Sequence, residues 1–149
     1  DLHRYMGTWY EIARFDHRFE RGLSEVTATY TLMPDGTVRV ENRGCKHKKP
    51  YDVCKTAEGR AKIPDPSQPG KLKVSFFLSF YSDYYVLELD QDEYNYALIG
   101  SSSDKYLWIL SRAPILPEEI KKKLLDAATR RGYDVKKLIW VEQREKKIM

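Results

Sequence analysis

A succession of short segments with a two-residue hydrophobic period is the feature that most constrains this fold. Residues 24–32 show it most clearly, because Val26, Ala28 and Tyr30 alternate there with threonines. Such alternation predicts a β-strand with one apolar face. Turn-forming sequences such as Met33-Pro34-Asp35-Gly36 separate one such segment from the next. We therefore predict eight consecutive strands, at residues 8–15, 24–32, 37–43, 55–63, 71–77, 84–89, 95–101 and 105–111.

Eight sequential antiparallel strands in an open sheet would leave two edges exposed, and closure into a barrel removes both. The sequence thus predicts an all-β fold, an eight-stranded antiparallel up-and-down barrel whose interior has room for packed side chains or for one small ligand. The alternation does not decide between a core filled by side chains and a cavity that holds a ligand. The same alternation predicts that Glu88 points into the barrel. The candidate ligand-lining residues are Val26, Ala28, Tyr30, Val38, Val40, Leu72, Val74, Phe76, Val86, Ala97, Ile99, Trp108 and Leu110.

One helix follows the strands. It is predicted to begin at Pro117, which suits a first helical position, and to end before Gly132, which suits a C-cap. Its apolar residues recur at helical spacing (Ile120, Leu124, Ala127 and Ala128), so the helix should pack by one face on the outside of the barrel. Residues 135–143 are predicted to form a short final strand, and residues 1–149 a single domain.

Composition excludes several classes of protein. Hydrophobic residues make up 42% and charged residues 32% of the 149 residues, so the chain is neither disordered nor made of membrane-spanning helices. The net charge of +4 is concentrated in lysine runs such as 46–49 and 121–123, which are typical of solvated faces. The aromatic residues fall mostly on the apolar parity of the strands, so we predict no nucleic-acid partner. We also predict no metal and no cofactor.

Two cysteines flank a loop rich in lysine and proline. Closing a disulfide between Cys45 and Cys54 would stabilise the fold by roughly 2–3 kcal/mol and would suit an oxidising compartment. A pair of free thiols is the alternative. A zinc site would need four ligands, and His47 is the one nearby candidate.

The first strand begins with glycine and aromatic residues and is followed by charged ones. It starts at Gly7 and Trp9 and runs into a charged loop at residues 16–21, as expected for a strand that leads from a closed floor to an open rim. A buried indole N–H needs an acceptor, so Trp9 requires a partner from elsewhere in the chain.

Three regions together resemble the lipocalins. They are Gly7-Thr8-Trp9-Tyr10-Glu11, the segment around Asp92, and Leu107-Trp108-Ile109-Leu110-Ser111-Arg112. The sequence is most similar to the bacterial outer-membrane lipocalins related to apolipoprotein D, and the resemblance covers nearly the whole chain. Glu93 departs from the pattern, because the family usually has tyrosine there, and the two cysteines match nothing in the bacterial relatives.

The resemblance implies a structural role for Gly7, Trp9 and Arg112, with Arg112 lying across the Trp9 ring at the closed end of the barrel. It also implies a binding protein that holds a fatty acid or lysophospholipid, for storage or transport, at the periplasmic face of the bacterial outer membrane or in the periplasm. An N-terminal lipid anchor, missing from this chain, would attach it to the membrane. Whether the protein forms a homodimer is left open.

Some residues could contact a lipid head group, and others could be reactive groups of an enzyme. Arg14, Arg18, Arg21 and the lysines at 46–49 are candidates to meet an anionic head at the rim. A lipocalin-type enzyme acting on a lipophilic substrate is the alternative function, with Cys45, His17 and Glu88 as its candidate reactive groups. No catalytic triad spacing or phosphate-binding loop supports it, so we predict a binding protein with no catalytic residues.

Overall fold

The computed structural model describes residues 1–17, 19–47, 50–77 and 80–143, and for residues 76, 77 and 80 only the backbone. A short helix, α1 (Leu2–Tyr5), precedes the strands, and a longer one, α2 (Glu118–Arg130), follows the eighth strand. A single turn of 3₁₀ helix at Val135–Lys137 leads into the last strand. The strands are β1 (Gly7–Phe15), β2 (Ser24–Leu32), β3 (Val38–Lys46), β4 (Val53–Lys62), β5 (Lys71–Phe77), β6 (Phe80–Leu89), β7 (Tyr96–Gly100), β8 (Trp108–Ser111) and β9 (Leu138–Trp140).

The predicted barrel is confirmed. Each of the first seven strands pairs antiparallel with the next, and β1 pairs with both β2 and β8, so the sheet closes on itself. Because the chain runs up and down, the 33–37, 63–70 and 90–95 connections and Arg112 all lie at one end of the barrel, which we call the floor. The described parts of three other connections, residues 16–17 with 19–23, 47 with 50–52, and 101–107, lie at the other end, which we call the mouth.

Strands β3, β6, β8 and β9 differ from their predicted bounds by three residues or more. Residues 135–137, predicted as the start of the final strand, form the 3₁₀ turn instead. Strand β3 continues to Lys46 because it pairs with β4 residue by residue through Cys45, opposite Cys54. Strand β8 is shorter than predicted, since the segment before Trp108 belongs to a mouth loop whose turn is held by the Ser101 hydroxyl donating to Ser103 O at 3.0 Å.

Helix α2 covers one side of the barrel. Leu124, Ala127 and Ala128 are buried against outward-facing residues of β1, β7 and β8, among them Ile12 and Leu98. This second apolar cluster is separate from the one inside the barrel. In the described ranges, no helix is both long and apolar enough to cross a bilayer.

The C-terminal segment completes the wall at the mouth. Strand β9 pairs with the mouth half of β1, and Val141 N continues this contact by donating to Ile12 O at 2.9 Å. On the other side, Glu25 N of β2 donates to Glu142 O at 2.7 Å. The segment therefore lies between β1 and β2 where these two strands no longer pair with each other.

Candidate ligand-binding cavity

The floor of the barrel is sealed by Arg112 and Trp9. The guanidinium Cζ of Arg112 lies 3.9 Å from the centroid of the fully buried Trp9 ring. The indole N–H donates to Tyr5 O at 2.8 Å, so the acceptor that Trp9 requires comes from α1. Gly7 has a φ of +102°, and a Cβ there would lie 3.3 Å from Arg112 Nη1, which explains the glycine.

Arg112 also ties the chain ends of the floor together. Its Nη2 donates to Arg4 O at 2.8 Å and to Met6 O at 2.9 Å, and its Nη1 donates to Thr8 O at 3.1 Å. Its Nε donates to Tyr94 O at 3.3 Å, in the β6–β7 connection. One side chain thus joins α1, β1 and the 90–95 turn beneath the barrel interior.

The structure brings most of the predicted lining residues together inside the barrel. Val74, Val86 and Trp108 are partly buried, whereas the other predicted lining residues in this interior cluster are buried. Val26 is also buried, beside Gly44 near the mouth, and the side chain of Phe76 lies outside the described residues. The predicted residues in the interior cluster are Ala28, Tyr30, Val38, Val40, Leu72, Val74, Val86, Ala97, Ile99, Trp108 and Leu110.

Trp108 contacts the β1–β2 loop at the mouth. Its Nε1 donates to Glu20 Oε1 at 3.0 Å, and its ring stacks on Tyr106 with centroids 5.8 Å apart. His17 Nε2 lies 2.6 Å from the same Glu20 oxygen. These contacts hold the loop to strand β8.

A buried ion pair lies inside the mouth, and the sequence alternation did not reveal it. Arg14 Nη1 lies 3.2 Å from Glu11 Oε2, with residue exposures of 2% and 4%. A bulge between Glu11 and Ala13 shifts the register of β1 by one residue, so Arg14 pairs with the inward-facing Trp108. Without the bulge, two residues three apart would face opposite sides of the sheet. The irregular alternation of this strand was the sequence signal.

Arg14 is saturated by contacts within the protein. A guanidinium has five N–H donors. In the structure Nε donates to Asp16, Nη1 to Glu11 and Leu23 O, and Nη2 to Glu20 O and Leu23 O. The expectation that Arg14 meets a ligand head group is therefore wrong.

The other rim candidates have different positions. Arg21 is exposed and lies 3.6 Å from Asp16, and Lys46 lies beside Gly22 at the mouth. Arg18, Lys48 and Lys49 lie outside the described residues.

Two carboxyl groups in this mouth cluster titrate in opposite directions. Burial, reinforced by the nearby Glu20 carboxyl, raises the pKa of Glu11 well above its ordinary value despite the Arg14 charge. Burial also acts to raise the pKa of Glu20, but His17, Glu11 and Trp108 together lower this pKa to about 2. At neutral pH the cluster therefore holds a charged Glu20 beside a Glu11 that retains its proton far more readily.

Glu88 does not point into the barrel, so its predicted orientation is wrong. A bulge between Val86 and Glu88 reverses the parity of β6. Glu88 Oε1 accordingly lies on the outer surface, 3.0 Å from Arg131 Nη2 after helix α2.

A chain of three tyrosine hydroxyls lies inside the floor half of the barrel. Tyr84 Oη lies 2.5 Å from Tyr5 Oη and 2.8 Å from Tyr30 Oη. The Tyr5 ring also packs 5.0 Å from the Trp9 ring, which places the chain directly beside the floor seal. Burial raises the pKa of each of the three phenols, so all three are neutral hydroxyl groups. Tyr5 and Tyr84 were not among the predicted site residues.

The two cysteines form a disulfide between neighbouring strands, directly opposite each other in the β3–β4 pair. His47 Nδ1 lies 2.9 Å from Asp52 in the loop that the disulfide closes. Among the residues whose side chains the structure describes, no group of three potential metal ligands is found.

A closed barrel with a sealed floor, an apolar wall and a mouth at the opposite end is the architecture of a calyx-type binding protein. Residues 1–143 match the lipocalin-like domain family, and the chain belongs to this family. It is 50% identical over 143 residues to the outer membrane lipoprotein Blc of Citrobacter freundii, covering 96% of this chain and 79% of that protein.

More distant relatives share the same extent. Apolipoprotein D of Mus musculus is 35% identical over 151 residues, covering 96% of this chain and 77% of that protein. The structure of insecticyanin from Manduca sexta superposes with a TM-score of 0.73 at 23% identity, covering 97% of this chain and 82% of that one. This last likeness shows the fold alone.

Proposed function

We propose that the protein is a carrier that holds a fatty acid or lysophospholipid with its acyl chain inside the barrel. The observation that carries the proposal is the interior cluster, an apolar wall closed at one end by Trp9 and Arg112. Val74, Val86 and Trp108 belong to this interior cluster and are only partly buried, so part of the apolar wall is accessible. Each buried methylene of an acyl chain would contribute about 0.8 kcal/mol.

The polar head of such a lipid would remain at the mouth. Arg14 has no donor left for it, whereas Arg21 and Lys46 are cationic groups at the mouth with accessible surface. A head group there would exchange one solvated environment for another, so the affinity should come from the chain. We expect charge-reversing the mouth to change affinity less than changing the wall.

The names of the bacterial relatives suggest a cellular location for this protein. The bacterial proteins that match are named outer membrane lipoproteins, and we propose the same location for this protein, at the outer membrane or in the periplasm. The disulfide suits that oxidising compartment. An N-terminal lipid anchor would attach the protein to the membrane, and we propose it from the resemblance to these relatives. A homodimer is likewise a proposal.

The positions of Cys45, His17 and Glu88 do not support catalysis. Cys45 is held in a disulfide, and Glu88 lies on the outer surface. His17 contacts Glu20, whose carboxylate is also held by Trp108. We therefore propose binding without turnover, and mass spectrometry of the lipid recovered after incubation checks this directly, since any hydrolysed product would contradict it.

Titration with saturated fatty acids of increasing length tests the binding itself. Affinity should rise about fourfold for each added methylene until the interior is filled. Native mass spectrometry of the protein isolated from its own cells should show a bound lipid mass. An affinity independent of chain length would overturn the proposal.

A charge placed on the wall provides the matched variant. Val74→Asp should weaken binding at least tenfold, because a carboxylate in an apolar wall cannot be solvated when the chain enters. Thr31→Asp adds the same charge at an exposed position of β2 and should leave affinity unchanged. Thermal melts of both variants separate lost binding from lost folding.

A further inference from the structure

Hydrogen-bond counting at the tyrosine chain leaves a donor without an acceptor. Three hydroxyls carry three protons, and the two contacts among Tyr5, Tyr84 and Tyr30 use two of them. These hydroxyls make no further hydrogen bond within the described part of the molecule, so one proton is left there without an acceptor.

The surroundings of the chain determine where an acceptor oxygen must be. Interior residues that pack in the same cluster, such as Val40, Leu72 and Ile99, have apolar side chains. Tyr84 is the central hydroxyl of the three and is less completely buried than Tyr5 or Tyr30. The free proton can therefore be presented to the barrel interior by Tyr84.

The position lies at the closed end of the proposed lipid path. Tyr5 belongs to the helix that covers the floor, and its ring packs on Trp9 above the Arg112 seal. A lipid that enters through the mouth with its head outside would bring its terminal carbon, rather than its carboxylate, to this point.

We propose that Tyr5, Tyr30 and Tyr84 form a polar subsite that binds an oxygen at the far end of the acyl chain, so that the barrel accepts ω-hydroxylated or ω-oxo fatty acids as well as plain ones. The inference rests on the proposed lipid binding and specifies its ligand class. A plain chain leaves the donor unsatisfied or in contact with water, whereas an ω-oxygen accepts the proton. Because an unmatched buried hydroxyl is costly in an apolar cavity, the subsite changes selectivity more than overall affinity.

Hexadecanoic acid and its ω-hydroxylated form are the probes, and the ratio of their dissociation constants is the readout. The wild-type protein should bind the two with similar affinity. In the triple variant Tyr5→Phe, Tyr30→Phe, Tyr84→Phe, the hydroxy acid should bind roughly tenfold more weakly than the plain acid. Removing all three hydroxyls together leaves no orphaned partner, which favours an intact fold.

Two further variants keep the result interpretable. Tyr85→Phe removes a hydroxyl from the outward-facing neighbour of Tyr84, whose ring lies 5.3 Å from Lys71 Nζ, and should leave the ratio unchanged. Tyr84→Phe alone removes the hydroxyl presented to the interior and should move the ratio in the same direction as the triple variant, although it leaves the Tyr5 and Tyr30 hydroxyls without their shared partner. Thermal melts of both variants identify which one remains folded, and the ratio is taken from that variant.

The outcomes separate the two proposals. Equal ratios for the wild-type and the tyrosine variants, with hexadecanoic acid still bound, overturn the subsite and leave lipid binding intact. A wild-type protein that binds neither acid overturns both. A change of ratio confined to the interior tyrosines supports the subsite.

Discussion

Replacing Arg112 with alanine should destabilise the fold while leaving ligand contacts untouched. The side chain contacts the Trp9 ring from the floor side and donates to four backbone carbonyls of α1, β1 and the 90–95 turn. All of these contacts lie beneath the proposed cavity, so the variant separates folding from binding.

The magnitude follows from the contacts. Bonds to the carbonyls of Met6 and Tyr94 are part-buried and, as charged hydrogen bonds, should contribute about 1.5 kcal/mol each. The bonds to Arg4 and Thr8 are exposed and should add little. The cation–π contact with Trp9 adds about 1 kcal/mol. We therefore expect a loss of about 4 kcal/mol and a melting temperature lower by roughly 10 °C.

Urea unfolding followed by tryptophan fluorescence measures this loss, with fatty-acid titration of the same sample below the transition. Arg112→Lys is the informative control, because it keeps the charge but cannot reach four carbonyls with one ammonium group, and should recover less than half of the stability. A loss below about 1 kcal/mol would refute the seal. So would a large loss of affinity in a fully stable variant, which would place Arg112 in the binding site.

Three further changes test other parts of the molecule. Reducing the disulfide should lower the free energy of unfolding by about 2–3 kcal/mol, as measured by urea unfolding with and without reductant, and no change would contradict its stabilising role. Because the pKa of Glu11 is raised, the folded protein retains a proton that the unfolded chain loses, and stability falls as the pH rises from 4.5 through the raised value. Glu11→Gln cannot lose this proton, so its stability relative to wild type should increase over that window, and a difference independent of pH would contradict the assignment. Gly100→Ala would place a Cβ 2.5 Å from the Tyr133 hydroxyl and should cost about 2 kcal/mol, whereas Gly70→Ala, with its nearest contact at 3.8 Å, should cost less than half as much.

The strand order was predictable from sequence because it depends on local information. Alternation in segments such as 24–32, turns such as 33–36 and the apolar stripe of α2 each appear within a few residues of one another. Closure then follows from the need to pair two edges. The positions of Trp9 and Arg112 came from the resemblance, since no local pattern links residues that lie this far apart in the chain.

Parity failed where the strands contain bulges. A bulge inserts one residue and exchanges the two faces of a strand beyond it. The bulge in β6 moved Glu88 outside, and the bulge in β1 brought Arg14 inside beside Glu11. Both bulges are defined by the pairing with a neighbouring strand, so the sequence of one strand alone contains little sign of them. The failure to predict the tyrosine chain has a different cause: Tyr84 shares the parity of Val86, but its contact with Tyr5 joins a strand to a helix 79 residues away, and no local pattern predicts it.

The interior has two polar regions, the Arg14 cluster at the mouth and the tyrosine hydroxyls beside the floor. They differ in whether a hydrogen-bond donor is left for a ligand, and this difference matters more for binding than their charge. Arg14, the cation at the mouth, has five N–H groups and makes five hydrogen bonds within the protein, so it can recognise an anion only by breaking contacts that hold the β1–β2 loop. The three neutral hydroxyls beside the floor have three protons and two mutual bonds, and so retain a donor that a ligand can use without breaking a contact of the protein. A ligand oxygen therefore gains more at the neutral end than beside the buried cation. The ratio of the two dissociation constants should therefore change in Tyr84→Phe and stay the same when the charge of a mouth residue is reversed.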